Sequence, residues 1–198
     1  PESYWPKDRI RAERFGEREF ATDGATLYGT FCAACHGVNG EGRRYPGMPP
    51  FPAAGSPDFL AVASDGFLSA TVRHGRPGRR MPAWGEKEGG LRPDEIDAVV
   101  AYLRVLGGNT AVEPDPKQAR WAAGDPEAGK RLFAAYCAGC HGAEGKGAEA
   151  LALNNRGLLA EASDTYLVQT ISRGRRGTPM NGFSKPSTVH PALAAGEI

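Results

Sequence analysis

The most regular pattern of apolar and polar positions lies between residues 94 and 106. Apolar residues recur there at the i, i+3, i+4, i+7 and i+10 spacing, which places them on one face of a helix. They are Ile96, Val99, Val100, Leu103 and Leu106. A pair of glycines, Gly107-Gly108, follows at once, and glycine typically ends a helix. The pattern predicts an amphipathic helix from about Asp94 to Leu106 that packs its apolar face against a core.

Shorter helices are predicted from residues that cap helix N-termini. Short polar side chains favour the N-cap because they accept a hydrogen bond from a free backbone N–H. The candidate caps are Asp23, Ser64, Asp125 and Ser163, and Pro126 suits a first helical turn. The 27 glycines and 16 prolines indicate long loops between these helices. We therefore predict an all-α fold.

The chain carries one sequence pattern twice. The stretch around Cys32 matches the stretch around Cys137, at an offset of 105 residues. Further along, an ungapped match leads to Met81 opposite Met180, at an offset of 99. The first copy therefore carries six extra residues, which we place in the Pro- and Gly-rich loop around residues 45–55. A repeat of this kind predicts two similar structural units.

The repeat divides the chain into four parts. They are a charged N-terminal arm (1–21), a first copy (22–107), a linker (108–124) that contains Glu113-Pro-Asp-Pro116, and a second copy (125–198). Ile198 aligns with Ile96, where the long helix of the first copy begins, so the second copy as given lacks its last helix. We expect the natural chain to continue there. We also expect a signal or anchor segment before Pro1, because the sequence does not begin with Met.

Composition narrows the class of protein. A net charge of +1 provides no strong field of the kind that attracts nucleic acid. No apolar run reaches the 18 residues or so that a transmembrane helix needs. Hydrophobic residues make up 40% and charged residues 24% of the chain, as in ordinary globular proteins. We expect a globular chain with no nucleic-acid partner and no membrane span within these residues.

All four cysteines lie in two CxxCH motifs, which are Cys32-Ala-Ala-Cys35-His36 and Cys137-Ala-Gly-Cys140-His141. This motif attaches c-type haem: the two thiols form thioether bonds to the haem vinyl groups, and the following histidine reaches the iron. A zinc site would not explain the histidine after each pair. Thiol redox chemistry of the thioredoxin kind would need a βαβ pattern, which is not visible. We predict two covalently bound haem c groups, attached at Cys32, Cys35, Cys137 and Cys140, with His36 and His141 as iron ligands.

The second axial ligand of each iron is sought among three methionines. Met81 and Met180 occupy equivalent repeat positions, whereas Met48 has no counterpart. A thioether ligand favours reduced iron and raises the reduction potential. We predict Met81 and Met180 as the distal ligands, although methionine also fills gaps in a core. The second motif is weaker, because Asn181 stands where the first copy has proline.

The remaining histidines and a cluster of arginines are weaker candidates. His74 aligns with Arg173, and we expect it to be exposed or on the propionate side; His190 has no counterpart. The arginines beside the two methionines are Arg73, Arg76, Arg79, Arg80, Arg173, Arg175 and Arg176. They could pair with haem propionates, steer an acidic redox partner or be solvated surface charge.

Each copy resembles a small monohaem cytochrome c domain of the soluble bacterial kind. The shared pattern is Gly-x-x-Leu-Tyr/Phe-x-x-x-CxxCHG, Ser-Asp-x-x-Leu, Gly-Arg-x-Gly, Met, and Leu-x-x-x-Glu-Ile. The resemblance implies tandem all-α domains, each wrapped around one haem with His/Met ligation. It implies haem attachment in the periplasm or on the periplasmic face of the inner membrane. It also implies a proline carbonyl, from Pro49 or Pro50, that orients His36, with no proline counterpart near residues 150–153 for His141.

Tandem domains of this type are similar to dihaem subunits of bacterial respiratory complexes. The expected function is single-electron relay between two haems and redox protein partners, including a respiratory or photosynthetic membrane complex. No catalytic residues are predicted, because two six-coordinate irons leave no vacant site for substrate. Two alternatives stay open, a cytochrome subunit of a periplasmic dehydrogenase and a dihaem enzyme of the peroxidase or thiosulfate-oxidising type.

Overall fold

The computed structural model describes residues 23–112 and 120–198. Its helices are α1 (Gly24–Phe31), α2 (Ala33–His36), α3 (Pro57–Leu60), α4 (Asp65–His74), α5 (Pro93–Leu106), α6 (Pro126–Tyr136), α7 (Ala138–His141), α8 (Arg156–Glu161) and α9 (Asp164–Arg173). Within the described residues, extended pairing is limited to three isolated bridges. The predicted all-α class is confirmed. The predicted arm and the Glu113-Pro-Asp-Pro116 part of the linker lie outside the described residues.

The predicted N-caps form as the sequence indicates. Each cap side chain accepts a hydrogen bond from a backbone N–H two or three residues later. The pairs are Asp23 with Thr26 (2.8 Å), Ser64 with Phe67 (3.1 Å), Asp125 with Glu127 (2.9 Å) and Ser163 with Tyr166 (3.1 Å). Pro126 is the first residue of α6. These bonds satisfy backbone donors that a helix N-terminus leaves free, which explains why the four helices begin where they do.

The long helix α5 provides the apolar face on which the first copy is built. It begins at Pro93, one residue before the predicted start, and ends before Gly107, whose N–H donates to Leu103 O (3.0 Å). Its apolar residues Ile96, Val99, Val100 and Leu103 are at most 5% exposed. The Arg92 N–H donates to Glu95 Oε2 (2.8 Å), which closes the N-terminal turn.

Helix α1 crosses α5 at very short range. A Cβ atom built on Gly24 would lie 2.0 Å from Ala98 O, so only glycine fits at this crossing. Tyr28 and Tyr102 pack across the same contact with ring centroids 5.6 Å apart. In the second copy, a Cβ atom on the equivalent Gly129 meets no atom within 4 Å, and α6 contains no buried residue.

The two copies contact each other through equivalent residues. Phe67 and Tyr166 align in the repeat, and their rings stack with centroids 4.7 Å apart and planes 27° apart. At the N-terminus of α8, Asn155 Nδ2 donates to Pro77 O (2.8 Å). In return, the Arg176 N–H donates to Asp58 Oδ2 in α3 (2.7 Å).

Since Pro77 and Arg176 are also repeat equivalents, each copy presents the same loop to the other copy's short helix. Reciprocal contacts of this kind are the mark of an approximate two-fold relation. We call this contact region the junction. It consists of α3, Phe67 and residues 76–77 of the first copy, and α8, Tyr166 and residues 175–176 of the second.

Candidate haem-binding sites

In both copies the CxxCH motif forms one tight helical turn directly after a longer helix. Helix α1 ends at Phe31, and His36 N donates to Cys32 O (2.9 Å) within the short helix that follows. The second motif repeats this bond, from His141 N to Cys137 O (2.9 Å). One helical turn therefore presents two thiols and an imidazole together, as haem c attachment requires. None of the four cysteines forms a disulfide bond with another.

Each predicted proximal histidine is held through Nδ1 by a backbone carbonyl. His36 Nδ1 lies 2.9 Å from Pro52 O, and His141 Nδ1 lies 2.7 Å from Leu151 O. A carbonyl can only accept a hydrogen bond, so Nδ1 carries the proton and Nε2 keeps its lone pair. This is the usual arrangement behind a metal-binding histidine. Burial lowers the pKa of His36, which favours the neutral imidazole that an iron ligand must be.

The expectation that Pro49 or Pro50 orients His36 is wrong. Residues 43–51 form a separate loop closed by an antiparallel bridge between Arg43 and Phe51, and the carbonyl that reaches His36 belongs to Pro52, just after it. The same backbone position supplies Leu151 in the second copy, so no proline is needed there. A proline carbonyl therefore does hold His36, as the resemblance implies, but it is that of Pro52 rather than of Pro49 or Pro50.

The structure locates the six-residue insertion more closely than the sequence, which places it around residues 45–55. Gly42 N donates to His36 O (2.6 Å), and Gly147 N donates to His141 O (2.7 Å), so the two copies are in register at these glycines. They are in register again at Pro52 and Leu151. Residues 43–51 therefore stand in the place of residues 148–150.

The environment of the thiols disfavours thiolate chemistry. Burial, followed by the proximity of Cys35, raises the pKa of Cys32 to about 12. Burial also raises the pKa of Cys137, with a further contribution from Cys140. A redox-active or metal-binding cysteine needs a lowered pKa, and these thiols have the opposite tendency. Among the described residues, no three His, Cys, Asp or Glu side chains converge as a metal-binding group.

The loops that carry Met81 and Met180 have the same backbone geometry. Arg76 N donates to Met81 O (2.9 Å), and Arg175 N donates to Met180 O (2.8 Å). A glycine precedes each of these arginines. Gly75, before Arg76, has φ of 61°, and a Cβ atom there would lie 2.6 Å from Met81 O. Gly174 repeats both features. Both methionine side chains are half-buried, as partly enclosed ligands would be.

Replacement of proline by Asn181 after Met180 does not disturb the second loop. The Asn181 N–H donates to Pro179 O (3.0 Å), and Asn181 bridges to Gly174. The chain then returns to α9 through a bond from Phe183 N to Ile171 O (2.9 Å), as the first copy returns to α4 from Trp84 N to Val72 O (3.0 Å). The departure from the first motif is therefore accommodated locally.

An aromatic pair links the CxxCH turn to the methionine loop in each copy. The residue before the first cysteine packs on the aromatic residue three positions after the methionine. The pairs are Phe31 with Trp84 (centroids 5.2 Å apart) and Tyr136 with Phe183 (6.4 Å). Both predicted ligand-bearing segments of a copy are thus joined through one contact.

The weaker candidates fall into different places. His74 is exposed, as expected. Met48 is 48% exposed and its sulfur accepts a bond from Arg80 Nη1, so it lies on the surface in the inserted loop. His190 is buried and stacks on Phe183 at 4.0 Å, and its Nε2 has no hydrogen-bond partner in the described part of the chain. This burial is not predictable from the sequence, because His190 has no repeat equivalent.

Two of the flanking arginines differ from the others. Arg76 and Arg175 are partly buried at the junction, and each donates through Nη2 to a threonine Oγ1 in the preceding helix (2.6 and 2.7 Å). Burial lowers the pKa of Arg76. No carboxylate within the described residues forms an ion pair with either guanidinium. Their chemistry fits a haem propionate, because a guanidinium fork matches a carboxylate.

Two family models match separate halves of the chain. Residues 21–107 match the family described as cytochrome c. Residues 124–192 match the family described as cytochrome c oxidase, cbb3-type, subunit III. Each matched range contains one CxxCH motif and one of the aligned methionines.

Related proteins match across both halves. The cbb3-type cytochrome c oxidase subunit FixP of Bradyrhizobium sp. (strain ORS 278) is 33% identical over 84% of this chain and 56% of its own length. The corresponding subunit CcoP of Azospirillum sp. (strain B510) is 31% identical over 82% of this chain and 55% of its own. The chain spans little more than half the length of these relatives.

A solved structure, the reducing HAO-like protein complex Kustc0457/Kustc0458 of Kuenenia stuttgartiensis, aligns with 88% of this chain and 90% of its own chain. The TM-score is 0.46 and the sequence identity is 23%. None of the helices in residues 23–112 and 120–198 is both long and apolar enough to cross a membrane.

Proposed function

We propose that this chain, which belongs to the cytochrome c family as a tandem of two domains with one covalently bound haem c each, relays single electrons between redox partners. The observation that carries the proposal is the repetition of a complete site. Both copies have the CxxCH turn, a histidine whose Nδ1 is held by a carbonyl, and a methionine loop fixed by the same backbone bond. A chain that holds two such copies in contact is suited to passing electrons from one site to the other.

The residues of each site have separate roles in this proposal. Cys32 and Cys35 attach the first haem by adding their S–H groups across its vinyl groups, and Cys137 and Cys140 attach the second. His36 and His141 would hold the iron through Nε2, and Met81 and Met180 would hold it through a thioether. The haem would supply a metal that accepts and releases one electron.

The junction supports transfer between the two sites. Electron transfer slows steeply as the distance between cofactors grows, so a relay needs its two domains held together. Phe67 and Tyr166 stack at the junction. The Arg76 guanidinium lies over the Phe67 ring and that of Arg175 over the Phe59 ring, and both would be available to haem propionates. A fixed junction keeps the distance between the two sites constant, which independent domains on a flexible linker would not do.

The partner proposed for this relay is a membrane-bound respiratory complex. Relatives that align with most of this chain are named as subunits of cbb3-type cytochrome c oxidase, and the relay would operate on the periplasmic side of the inner membrane. In this proposal the chain is an electron carrier within an oxidoreductase and performs no bond-making chemistry of its own. The basic residues around Met81 would face an acidic partner surface.

The test uses the holoprotein and variants of each methionine. Two haems per chain are expected from the intact mass and from a redox titration that takes up two electrons. Ferric haem with a bound methionine sulfur has a characteristic long-wavelength absorption band, and methionine ligation is what tunes the potential upward. Met81→Ala and Met180→Ala should each remove half of that band and lower one potential, whereas Met48→Ala should change neither.

One result would contradict the relay, and another would contradict the ligand assignment on its own. If one haem of the unaltered protein is high-spin and turns over peroxide, the chain is an enzyme rather than a carrier. If Met48→Ala removes half of the band while Met81→Ala leaves it intact, the ligand assignment of the first site is wrong.

A further inference from the structure

We propose that residues 43–51 and Arg80 form a clasp that holds the Met81 loop closed over the first haem, so that the first site releases its methionine more slowly than the second. The inference rests on the proposed ligation of the first haem by Met81. It concerns a feature that only one of the two copies possesses, the inserted loop of residues 43–51, and it assigns Arg80 as a positioning residue.

The inserted loop is anchored to the proximal side of the first site. Phe51 N donates to Arg43 O (2.8 Å), which closes the loop at its base. The Tyr45 hydroxyl donates to the carbonyl of Ala34 (2.7 Å), and Ala34 stands between the two cysteines of the first motif. The ring of Tyr45 also packs edge-on against Phe51, with centroids 5.9 Å apart. The loop is therefore fixed to the turn that attaches the haem.

Arg80 connects this loop to the distal side. It directly precedes Met81, and its guanidinium makes three contacts, all with the inserted residues. Nη2 donates to Pro49 O (2.8 Å), Nη1 donates to Met48 Sδ, and Cζ lies 4.6 Å from the centroid of the Phe51 ring. Hydrogen bonds from a charged donor are stronger than neutral ones, and stacking on an aromatic ring adds to them. Movement of Met81 away from the iron would pull Arg80 out of these contacts.

The second copy has no equivalent connection. Pro179 occupies the position of Arg80 and has no side chain that can donate a hydrogen bond. Only residues 148–150 replace the inserted loop, and within them Ala148 N donates to Ala150 O (3.3 Å). Cys140 is exposed, whereas the equivalent Cys35 is partly buried. The second site is therefore the more open of the two on its attachment side. Its methionine loop keeps the Tyr136–Phe183 ring contact, which the first copy matches with Phe31–Trp84, but none of the described residues provides a counterpart to the contacts of Arg80.

The experiment follows cyanide binding to the ferric holoprotein of the full chain. Cyanide replaces the methionine: the iron–sulfur bond breaks, an iron–carbon bond forms, and the iron stays ferric. The methionine band should disappear in two phases, a fast phase from the second haem and a slow one from the first. Arg80→Ala should accelerate the slow phase about tenfold, because charge-assisted contacts are lost, and should leave the fast phase unchanged.

Matched variants separate the clasp from general effects of charge or folding. Arg79→Ala removes the same charge from an exposed neighbour whose side chain makes no bond in the described residues, and it should leave both phases unchanged. Tyr45→Phe removes only the hydroxyl that anchors the loop, and it should accelerate the slow phase as well. The thermal midpoint of Arg80→Ala is measured beside these to confirm that the variant is folded.

The outcomes distinguish the clasp from the ligation on which it rests. If the unaltered protein lacks the methionine band of the first haem, the ligation is wrong and the clasp is overturned with it. If the band is present and Arg80→Ala binds cyanide at the unaltered rates, the clasp alone is wrong. An equal acceleration by Arg79→Ala would also overturn it, since surface charge would then be the cause.

Discussion

Two glycines hold the methionine loops in the conformation that both sites share. Gly75 and Gly174 have positive φ, where other residues are strained. A Cβ atom on either glycine would also lie within 2.6 Å of the carbonyl oxygen of Met81 or Met180. Each demand alone would favour glycine. Together they mean that the loop can keep its shape only if this position has no side chain, close to the methionine proposed to bind iron.

Gly75→Ala should therefore destabilise the protein and weaken the methionine ligation. The backbone of Gly75, with φ of 61° and ψ of −152°, lies in a region that only glycine adopts without strain, and this strain together with the contact with Met81 O should cost about 3 kcal/mol. The free energy of unfolding is measured by chemical denaturation, and the methionine absorption band is measured in the folded protein. The loop must move to relieve the contact, so the band should weaken.

A matched control lies three residues away. Gly78 has φ of 74°, but a Cβ atom there meets nothing within 4 Å. Gly78→Ala should cost only the conformational part, about 1 kcal/mol, and leave the band intact. Equal losses of stability in the two variants would show that the contact with the methionine carbonyl is unimportant.

At the scale of elements, the difference between α1 and α6 is the largest departure from the repeat. The two helices align and both lead into a CxxCH turn, yet α1 is sealed against α5 while α6 has no buried residue. The sequence places no helix equivalent to α5 within the second copy as given. A helix of this length is stabilised more by packing on a partner helix than by the helix propensity of its residues, so α1 should be the more stable of the two.

Alanine substitutions at the two aligned glycines should have opposite effects. Gly24→Ala should lose about 3 kcal/mol, because the new methyl group would press on the backbone of α5. In the chain of residues 1–198, Gly129→Ala should gain up to about 1 kcal/mol, because alanine favours a helix interior and a Cβ atom there meets none of the described residues within 4 Å. Both are measured by chemical unfolding followed by circular dichroism. A loss of stability in Gly129→Ala would mean that another segment packs closely on α6.

The elements that the sequence predicts are those with a periodic or capped pattern. The apolar face of α5 and the caps Asp23, Ser64, Asp125 and Ser163 are visible as residue types at fixed spacings, and the structure confirms them. Helices α3 and α8 were not predicted, because four to six residues are too few to show a period. The carbonyl that holds His36 was expected from a proline but placed at Pro49 or Pro50 instead of Pro52, and that of Leu151 was missed because a leucine backbone carbonyl leaves no signature in residue identity.

The repeat predicted more of the sites than any single motif. It pairs Met81 with Met180, and the loops around them have matching backbone bonds. It could not predict the insertion's fold, the burial of His190 or the junction, since each of these depends on residues without an equivalent or on contacts between the copies.

At the scale of the whole molecule, the junction includes an ion pair between the copies. The Arg176 side chain and backbone N–H both donate to the Asp58 carboxylate, and these bonds with Arg176 lower the pKa of Asp58. A carboxyl group whose pKa is lowered by folding stabilises the folded state above its ordinary pKa. That contribution is lost as the pH falls through the lowered value.

Asp58→Asn should therefore remove a pH-dependent part of the stability. The variant should be less stable than the unaltered protein at neutral pH, and the gap should close as the pH falls below the ordinary aspartate value of 3.8. The free energy of unfolding is measured between pH 7 and pH 3. Asp65→Asn, which removes a carboxylate whose ion pair lies within the first copy, is measured beside it for comparison. A gap that stays constant with pH would show that the carboxylate charge does not stabilise the junction.

The reciprocal contacts of the junction also bear on how the chain arose. Phe67 and Tyr166 meet as the same position in two copies, which is how two identical subunits meet across a symmetry axis. A single-haem ancestor with an aromatic residue at this position already had the surface needed to pair with itself. Once a gene duplication joined the two partners, neither half had to be self-complementary any longer. One copy could then carry Asp58 at the repeat position where the other has Gly157, and one could acquire nine residues (43–51) where the other has three (148–150). Two redox centres that were once identical thus became free to differ.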